Sequence, residues 1–309
     1  MSSETQRPGR QAPEALKQTR AAVHSAMSAQ PLADGVSLEE LDAGGVPAVR
    51  LTPDAGFDSD IVYFHGGGFR LGSARGWAAF NSHLALRAKA RVLSVDYRLA
   101  PENPFPAALS DARAAYEWLL ASGADPRRIA VGGDSAGGGL AASLLVDLKQ
   151  RGIASPGCAF LLSPWADLRV VTGSYESRAG TDQLFSRQSA NDGAALYLAD
   201  HPAEDPLVSP VLAEWAGQPP LLIQVSDAEV LFDDAANLAK AAAGAGVPVT
   251  HEVFSNVQHV WQLDYPGRAE AVSAVDQIAD FVAKNASGAS PPEGVVIRRG
   301  GSEPAAERL

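Results

Sequence analysis

Apolar residues fall in short continuous runs separated by longer amphipathic stretches, and this alternation predicts most of the chain's elements. The runs Ile61-Val62-Tyr63-Phe64, Arg91–Tyr97, Ile129-Ala130-Val131, 158–163, Leu221–Val225 and Val249–Phe254 read as strands. Between them the 3.6-residue period predicts helices near 75–89, 106–122, 136–150 and 233–243, with a last one over about 268–284. Pro106 opens the second of these and Gly123 closes it. Strands that are apolar on both faces, alternating with helices, imply a mainly parallel sheet covered on both sides. Upstream, Val36–Leu41 and Val46–Leu51 read as two strands joined through Gly44-Gly45. Pro47 lacks an N–H for a ladder, which places the second of them at a sheet edge. The expected fold class is α/β, with a mostly parallel sheet of about eight strands and helices on both faces.

Two segments depart from this rhythm. Residues 13–30 predict a helix with Leu16, Ala22, Val23 and Met27 as its apolar positions. Residues 167–206 are polar, hold a helical stretch near 186–199 and contain no clear strand. Together they make a small helical cap; the plainer alternative for the second is a surface excursion. The division is therefore an N-terminal cap segment (1–35), core (36–166), cap insertion (167–206), core (207–286) and a tail (287–309). The tail is rich in Gly, Pro, Ser and charge and is expected to be flexible, as residues 1–12 are expected to be disordered.

Composition narrows the function. With 25 Lys+Arg against 36 Asp+Glu, the net charge is −11. Nucleic acid selects a basic face, so no nucleic-acid partner is expected. No stretch approaches the ~20 apolar residues of a membrane span, and the polar start carries no signal-peptide pattern. A cytoplasmic protein is the default expectation. The single cysteine, Cys158, lies in an apolar run with no activating neighbour and reads as a core thiol.

Two glycine motifs carry the chemistry. Gly133-Asp134-Ser135-Ala136-Gly137 is a Gly-x-Ser-x-Gly pattern between a predicted strand and a predicted helix, the context that makes it a nucleophile elbow. The tight turn needs small residues on both sides of Ser135. It raises the hydroxyl above the sheet and aims the Ala136 amide at an oxyanion. The segment lacks the spacing of a dinucleotide fingerprint and the Lys of a P-loop. His65-Gly66-Gly67-Gly68 ends the strand 61–64, where backbone N–H groups can face a ligand oxygen. Gly66 and Gly67 are the candidate donors for the second half of an oxyanion hole.

A serine nucleophile needs a base and an acid that follow it in the chain. Of the six histidines, His24, His65 and His83 come too early, His201 lies in the insertion and His251 lies inside a strand. His259 follows the strand 249–254 and is the candidate base. The acid belongs after the strand 221–225, where Asp227, Glu229, Asp233 and Asp234 compete. Asp233 and Asp234 open a helix and read as capping acids. Asp227 and Glu229 both stay open on position alone. Phe69, Trp165, Trp215 and Trp261 are candidates for an apolar pocket or for ordinary packing. The chemistry calls for no metal and no cofactor.

From about residue 60 to 283 the chain resembles the bacterial hormone-sensitive-lipase-like esterases of the α/β-hydrolase superfamily. The resemblance rests on His65-Gly66-Gly67-Gly68, Asp96-Tyr97-Arg98-Leu99-Ala100-Pro101-Glu102 and Gly133-Asp134-Ser135-Ala136-Gly137-Gly138. It implies an α/β-hydrolase fold and hydrolysis of short-to-medium acyl esters, with lactones as an alternative. It gives Tyr97–Glu102 a bracing role. The family's Asp-Pro-Leu-x-Asp segment aligns with Glu229-Val230-Leu231-Phe232-Asp233, which favours Glu229 as the acid over Asp227. Family members also form homodimers through an edge strand. A non-catalytic receptor on the same fold is disfavoured by the presence of both Ser135 and His259. A peptidase is disfavoured because no added domain screens peptides.

Overall fold

The computed structural model describes residues 10–287, 296–300 and 306–307. The element order is α1 (Glu14–Ser28), β1 (Val36–Asp42), β2 (Pro47–Pro53), β3 (Ser59–Phe64), α2 (Ala78–Ala88), β4 (Ala90–Val95), α3 (Ala107–Ala121), β5 (Ile129–Asp134) and α4 (Ala136–Arg151). Then come β6 (Cys158–Leu162), α5 (Ser174–Ser177), α6 (Arg187–Leu198), β7 (Leu221–Ser226), α7 (Phe232–Gly244), β8 (Val249–Phe254) and α8 (Ala269–Asn285). Every helix and strand expected between residues 13 and 284 is present, with ends that differ by a few residues.

The sheet runs β1-β2-β4-β3-β5-β6-β7-β8 and continues into two strands of the tail, β9 (Val296–Gly300) and β10 (Ala306–Glu307). β4 through β9 are parallel, while β1, β2 and β10 add antiparallel neighbours. Outside these two strands, the expected tail beyond Ser287 lies outside the described residues, as do residues 1–9 of the expected disordered start.

The edge position expected for β2 is corrected. β2 pairs with β1 on one side and β4 on the other. Pro47 is its first residue, where a missing N–H breaks no interior ladder bond, and its carbonyl still accepts from Asp96 N at 2.9 Å.

Alternate side chains of each central strand feed opposite faces. On β3, Val62 and Phe64 face α3 and α4, while Ile61 and Tyr63 face α2 and α8. On β6, Ala159 and Leu161 take the first side and Cys158, Phe160 and Leu162 the second. All of these are buried, which explains why no strand read as alternating. Burial also pushes the Cys158 thiol far above its usual range, so it stays a core thiol. No helix among the described residues is long and apolar enough to cross a membrane.

None of the residues of α1 is fully buried, but Leu16, Val23 and Met27 of the expected apolar face are half-buried, and Met27 packs against the core, while Ala22 is exposed. Polar contacts hold it as well. The Arg20 guanidinium donates to both Glu102 carboxylate oxygens (2.6 and 2.8 Å), to Ala100 O (2.6 Å) and to Arg70 O (2.7 Å).

The join between β5 and α4 is the tightest place in the core. A Cβ on Gly137 would lie 2.0 Å from Phe64 O, and one on Gly139 would lie 2.1 Å from Trp165 O. Both obstacles are backbone and cannot swing away. Gly139→Ala gains about 1 kcal/mol of helix propensity and meets an overpacking cost of about 1–3 kcal/mol. The expected result in urea unfolding is a net loss of stability; equal or greater stability would contradict this packing.

Candidate active site

Ser135 sits between β5 and α4 with φ 54 and ψ −119, a conformation that L residues rarely adopt. Its N–H donates to Leu162 O (2.8 Å), and its carbonyl accepts from Gly139 N and Trp165 N (both 3.0 Å). The strained turn is thereby tied to β6 and to α4. The same left-handed region holds Phe69, Ser163 and Val260, so four of the non-glycine residues with positive φ border one spot.

The loops after β7 and β8 bring the other two groups there. Ser135 Oγ lies 2.9 Å from His259 Nε2. His259 Nδ1 meets Glu229 Oε2 in a short contact. With the ring proton on Nδ1 and donated to Glu229, Nε2 is left to accept from the Ser135 hydroxyl. Glu229 is fully buried, and its second oxygen accepts from Ser226 N (2.6 Å) and Ser163 Oγ (2.8 Å). Burial alone would lower the His259 pKa. The Glu229 charge and hydrogen bond outweigh that, with smaller help from Asp182 and Asp134, and raise it above the usual imidazole value.

The competing acids are engaged elsewhere. Asp227 accepts from Ser255 Oγ at 2.6 Å. The capping role expected for Asp233 and Asp234 is corrected: both lie in the first turn of α7, yet their oxygens take no cap bond from it. Asp233 accepts from Ser174 N (2.8 Å), and Asp234 accepts from Asp167 N (3.0 Å) and Thr172 Oγ1 (3.1 Å). They tie the insertion to α7.

The glycine turn after β3 faces Ser135 from the other side. Here too one expectation is corrected. The Gly66 amide is no free donor, because it donates to Asp134 Oδ1 at 2.9 Å. Tyr63 OH donates to the same oxygen at 2.8 Å. Burial raises the Asp134 carboxyl to about 6, against the lowering effect of these bonds. The Gly67 and Gly68 amides have no protein acceptor among the described residues. Ala136 N opens α4 and points outward from the helix start. His65 is a brace: its ring stacks on Tyr97 (centroids 4.3 Å apart), and Tyr97 OH donates to His65 O at 2.7 Å.

Of the four aromatic candidates, two reach the site. Phe69 stacks on Tyr197 of α6 (3.8 Å) and lies 6.0 Å from Trp165. Trp165 meets Phe185 edge-on (5.6 Å), and Phe185 lies parallel to the His259 ring at 5.9 Å. This aromatic row runs from the insertion to the imidazole. Trp215 and Trp261 are corrected to packing residues. The Trp215 indole donates to Pro210 O (2.9 Å), and Trp261 packs on Phe254, Val257 and Ala271. Sequence reasoning missed Ser163, Asp134, Asp182, Phe185 and Tyr197. Asp134 was legible in principle as the acid beside the nucleophile; the others sit in loops or the insertion, where no period marks a facing direction.

Among the described residues, no group of His, Cys, Asp and Glu side chains has a metal-holding arrangement. The pattern of the α/β-hydrolase fold family matches residues 61–263. An acetyl-hydrolase from Streptomyces hygroscopicus is 41% identical over 222 residues, covering 72% of this chain and 74% of that protein. An esterase from Acinetobacter venetianus is 34% identical over 247 residues, covering 80% and 82%. The crystal structure of an esterase from the bacterial hormone-sensitive lipase family superposes with a TM-score of 0.86 at 40% identity, covering 89% of this chain and 93% of that one. The chain therefore belongs to the α/β-hydrolase family, within its bacterial hormone-sensitive-lipase-like branch of carboxylic ester hydrolases.

Proposed function

We propose that the protein is a serine carboxylesterase that hydrolyses short-to-medium acyl esters through an acyl-enzyme on Ser135. The observation that carries this reading is the hydrogen-bonded line from Ser135 through His259 to the buried Glu229. Residues 10–35 and the insertion 167–206 act as the cap. The acetyl-hydrolase among the relatives supports the short end of the acyl range.

Ser135 Oγ attacks the ester carbonyl while its proton passes to His259 Nε2. Glu229 holds the ring in the required tautomer and stabilises the imidazolium. The amides of Gly67, Gly68 and Ala136 receive the oxyanion; losing one such donor typically costs about 10²–10³ in rate. The imidazolium then protonates the leaving alkoxide, and the acyl group stays on Ser135. Water attacks the acyl carbonyl, gives its proton to His259, and the carboxylic acid leaves as Ser135 recovers its proton. Asp134 acts as a positioning residue, because it grips the glycine turn from the position next to the nucleophile.

Two results are expected. Ser135→Ala lowers kcat for p-nitrophenyl butyrate by about 10⁴-fold or more, with the melting curve retained; turnover at the wild-type rate would overturn the reading. The second concerns pH. A protonated His259 cannot accept the serine proton, so kcat/KM rises with pH through a midpoint above the ordinary value of 6.5. Glu229→Gln removes the charge that raises this pKa and leaves the burial that lowers it. The midpoint moves to lower pH and kcat falls by about 10³–10⁴. An unchanged midpoint would show that Glu229 is not the partner of the base.

A further inference from the structure

Arg70 follows the glycine turn and Phe69, and the catalytic reading makes no use of its charge. Other arginines around the site are neutralised: Arg20 pairs with Glu102, Arg98 with Asp111 and Arg169 with Asp167. Arg70 has no carboxylate partner among the described residues. Its Nη2 reaches only Ser189 on α6, at 3.4 Å to the hydroxyl and 3.5 Å to the carbonyl. Both are at the long limit for a hydrogen bond. Its Nε is shielded from solvent and has no acceptor. Burial lowers the guanidinium's pKa and Asp192 offsets this in part. Asp192 is exposed on α6, accepts from Gln188 at 2.9 Å and forms no ion pair with Arg70. The residue is half-buried and its charge meets no carboxylate, so a ligand anion can pair with it without breaking an existing ion pair.

Its place in the fold says where the partner comes from. A Cβ on Gly68 would lie 3.7 Å from both Nε and Nη2 of Arg70. A Cβ on Gly193 of α6 would lie 3.5 Å from Arg70 Nε and 3.1 Å from the Trp165 ring. The guanidinium thus fills the gap between the glycine turn, the insertion helix and the aromatic row. A Cβ at either glycine would make ordinary van der Waals contact with the guanidinium, and one at Gly193 would press on the Trp165 ring. The turn that presents free amides to an ester oxygen also carries this charge two residues on.

We propose that Arg70 is an anion subsite of the ester pocket, and that the preferred esters carry a carboxylate a few bonds from the scissile carbonyl. This deepens the proposed function and rests on it. The planar guanidinium matches a carboxylate in shape and charge. The carboxylate has two possible sources. A half-ester of a short dicarboxylic acid places it on the acyl side, and an acylated hydroxy acid places it on the alcohol side.

The test compares kcat/KM for two matched pairs at low ionic strength: ethyl hydrogen succinate against ethyl isocaproate, and acetylglycolate against isobutyl acetate. In each pair the carboxylate is replaced by a neutral branch of similar shape. The expected result is that Arg70→Met lowers the anionic-to-neutral ratio by about tenfold to a hundredfold for at least one pair, mainly through KM, and that pair identifies the source. Arg70→Lys keeps the charge without the planar fork and falls between; should Arg70→Met fail to fold, the same ratio for Arg70→Lys decides the matter. Ratios that do not change in either pair would overturn the subsite, as would a wild type that turns over the neutral esters and rejects both anionic ones. A wild type that turns over neither kind would instead overturn the esterase reading beneath it.

Discussion

The constraint on which the site depends is the backbone of Ser135, held at positive φ where β5 meets α4. Such a residue typically costs about 1–3 kcal/mol, and it persists because its surroundings leave it no other place. Gly133 and Gly137 pack directly against the end of β3, where any side chain would overlap Phe64 O. Ser135 N and O are both bonded across to β6 and the loop after it. The strained turn therefore fixes three things together: the direction of Oγ, the start of α4 with its outward amide, and the seat of the glycine turn. Asp134 couples the last of these to the first. Its carboxylate takes the Gly66 amide, so the turn cannot shift without the elbow.

The buried charge of Glu229 is the second organising element. A carboxylate with no exposure needs every oxygen satisfied. Ser163 and Ser226 satisfy one oxygen and His259 the other. These partners come from three separate strand ends, which ties the loops after β6, β7 and β8 into one unit. The insertion joins the same unit. Asp182 accepts from Val230 N at 2.9 Å, and Ser174 Oγ donates to Val230 O at 2.6 Å, one residue past the acid. The insertion therefore touches the loop of Glu229 directly, and its Phe185 ring runs nearly parallel to the imidazole.

The fold was legible because it rests on local signals: continuous apolar strands, helical periods, and glycine turns at strand ends. Ser135 and His259 were legible because a nucleophile elbow restricts where a base can stand in the chain, whereas position left Glu229 level with Asp227 and only the family resemblance favoured it. What escaped the sequence depended on direction rather than identity. Gly66 and Gly67 are alike as residues, and only the Asp134 carboxylate, brought in from β5, decides that the first amide is occupied. Asp233 and Asp234 hold the positions of helix caps, yet the insertion above them offers better donors. Trp215 and Trp261 look as suited to a pocket as Phe69 and Trp165, but their indoles turn to Pro210 and Glu270 carbonyls. Pro47 marked an edge by rule, and its place as the first residue of β2 made the rule irrelevant.

The central claim is that Ser135 is the one nucleophile, activated by His259 and Glu229. Titration with diethyl p-nitrophenyl phosphate, followed by peptide mapping, tests it most directly. One molar equivalent of p-nitrophenolate should be released, activity should fall in step with it, and the phosphoryl group should be found on the peptide that carries Ser135. Activity that survives full labelling, or a label on any other residue, would contradict the account.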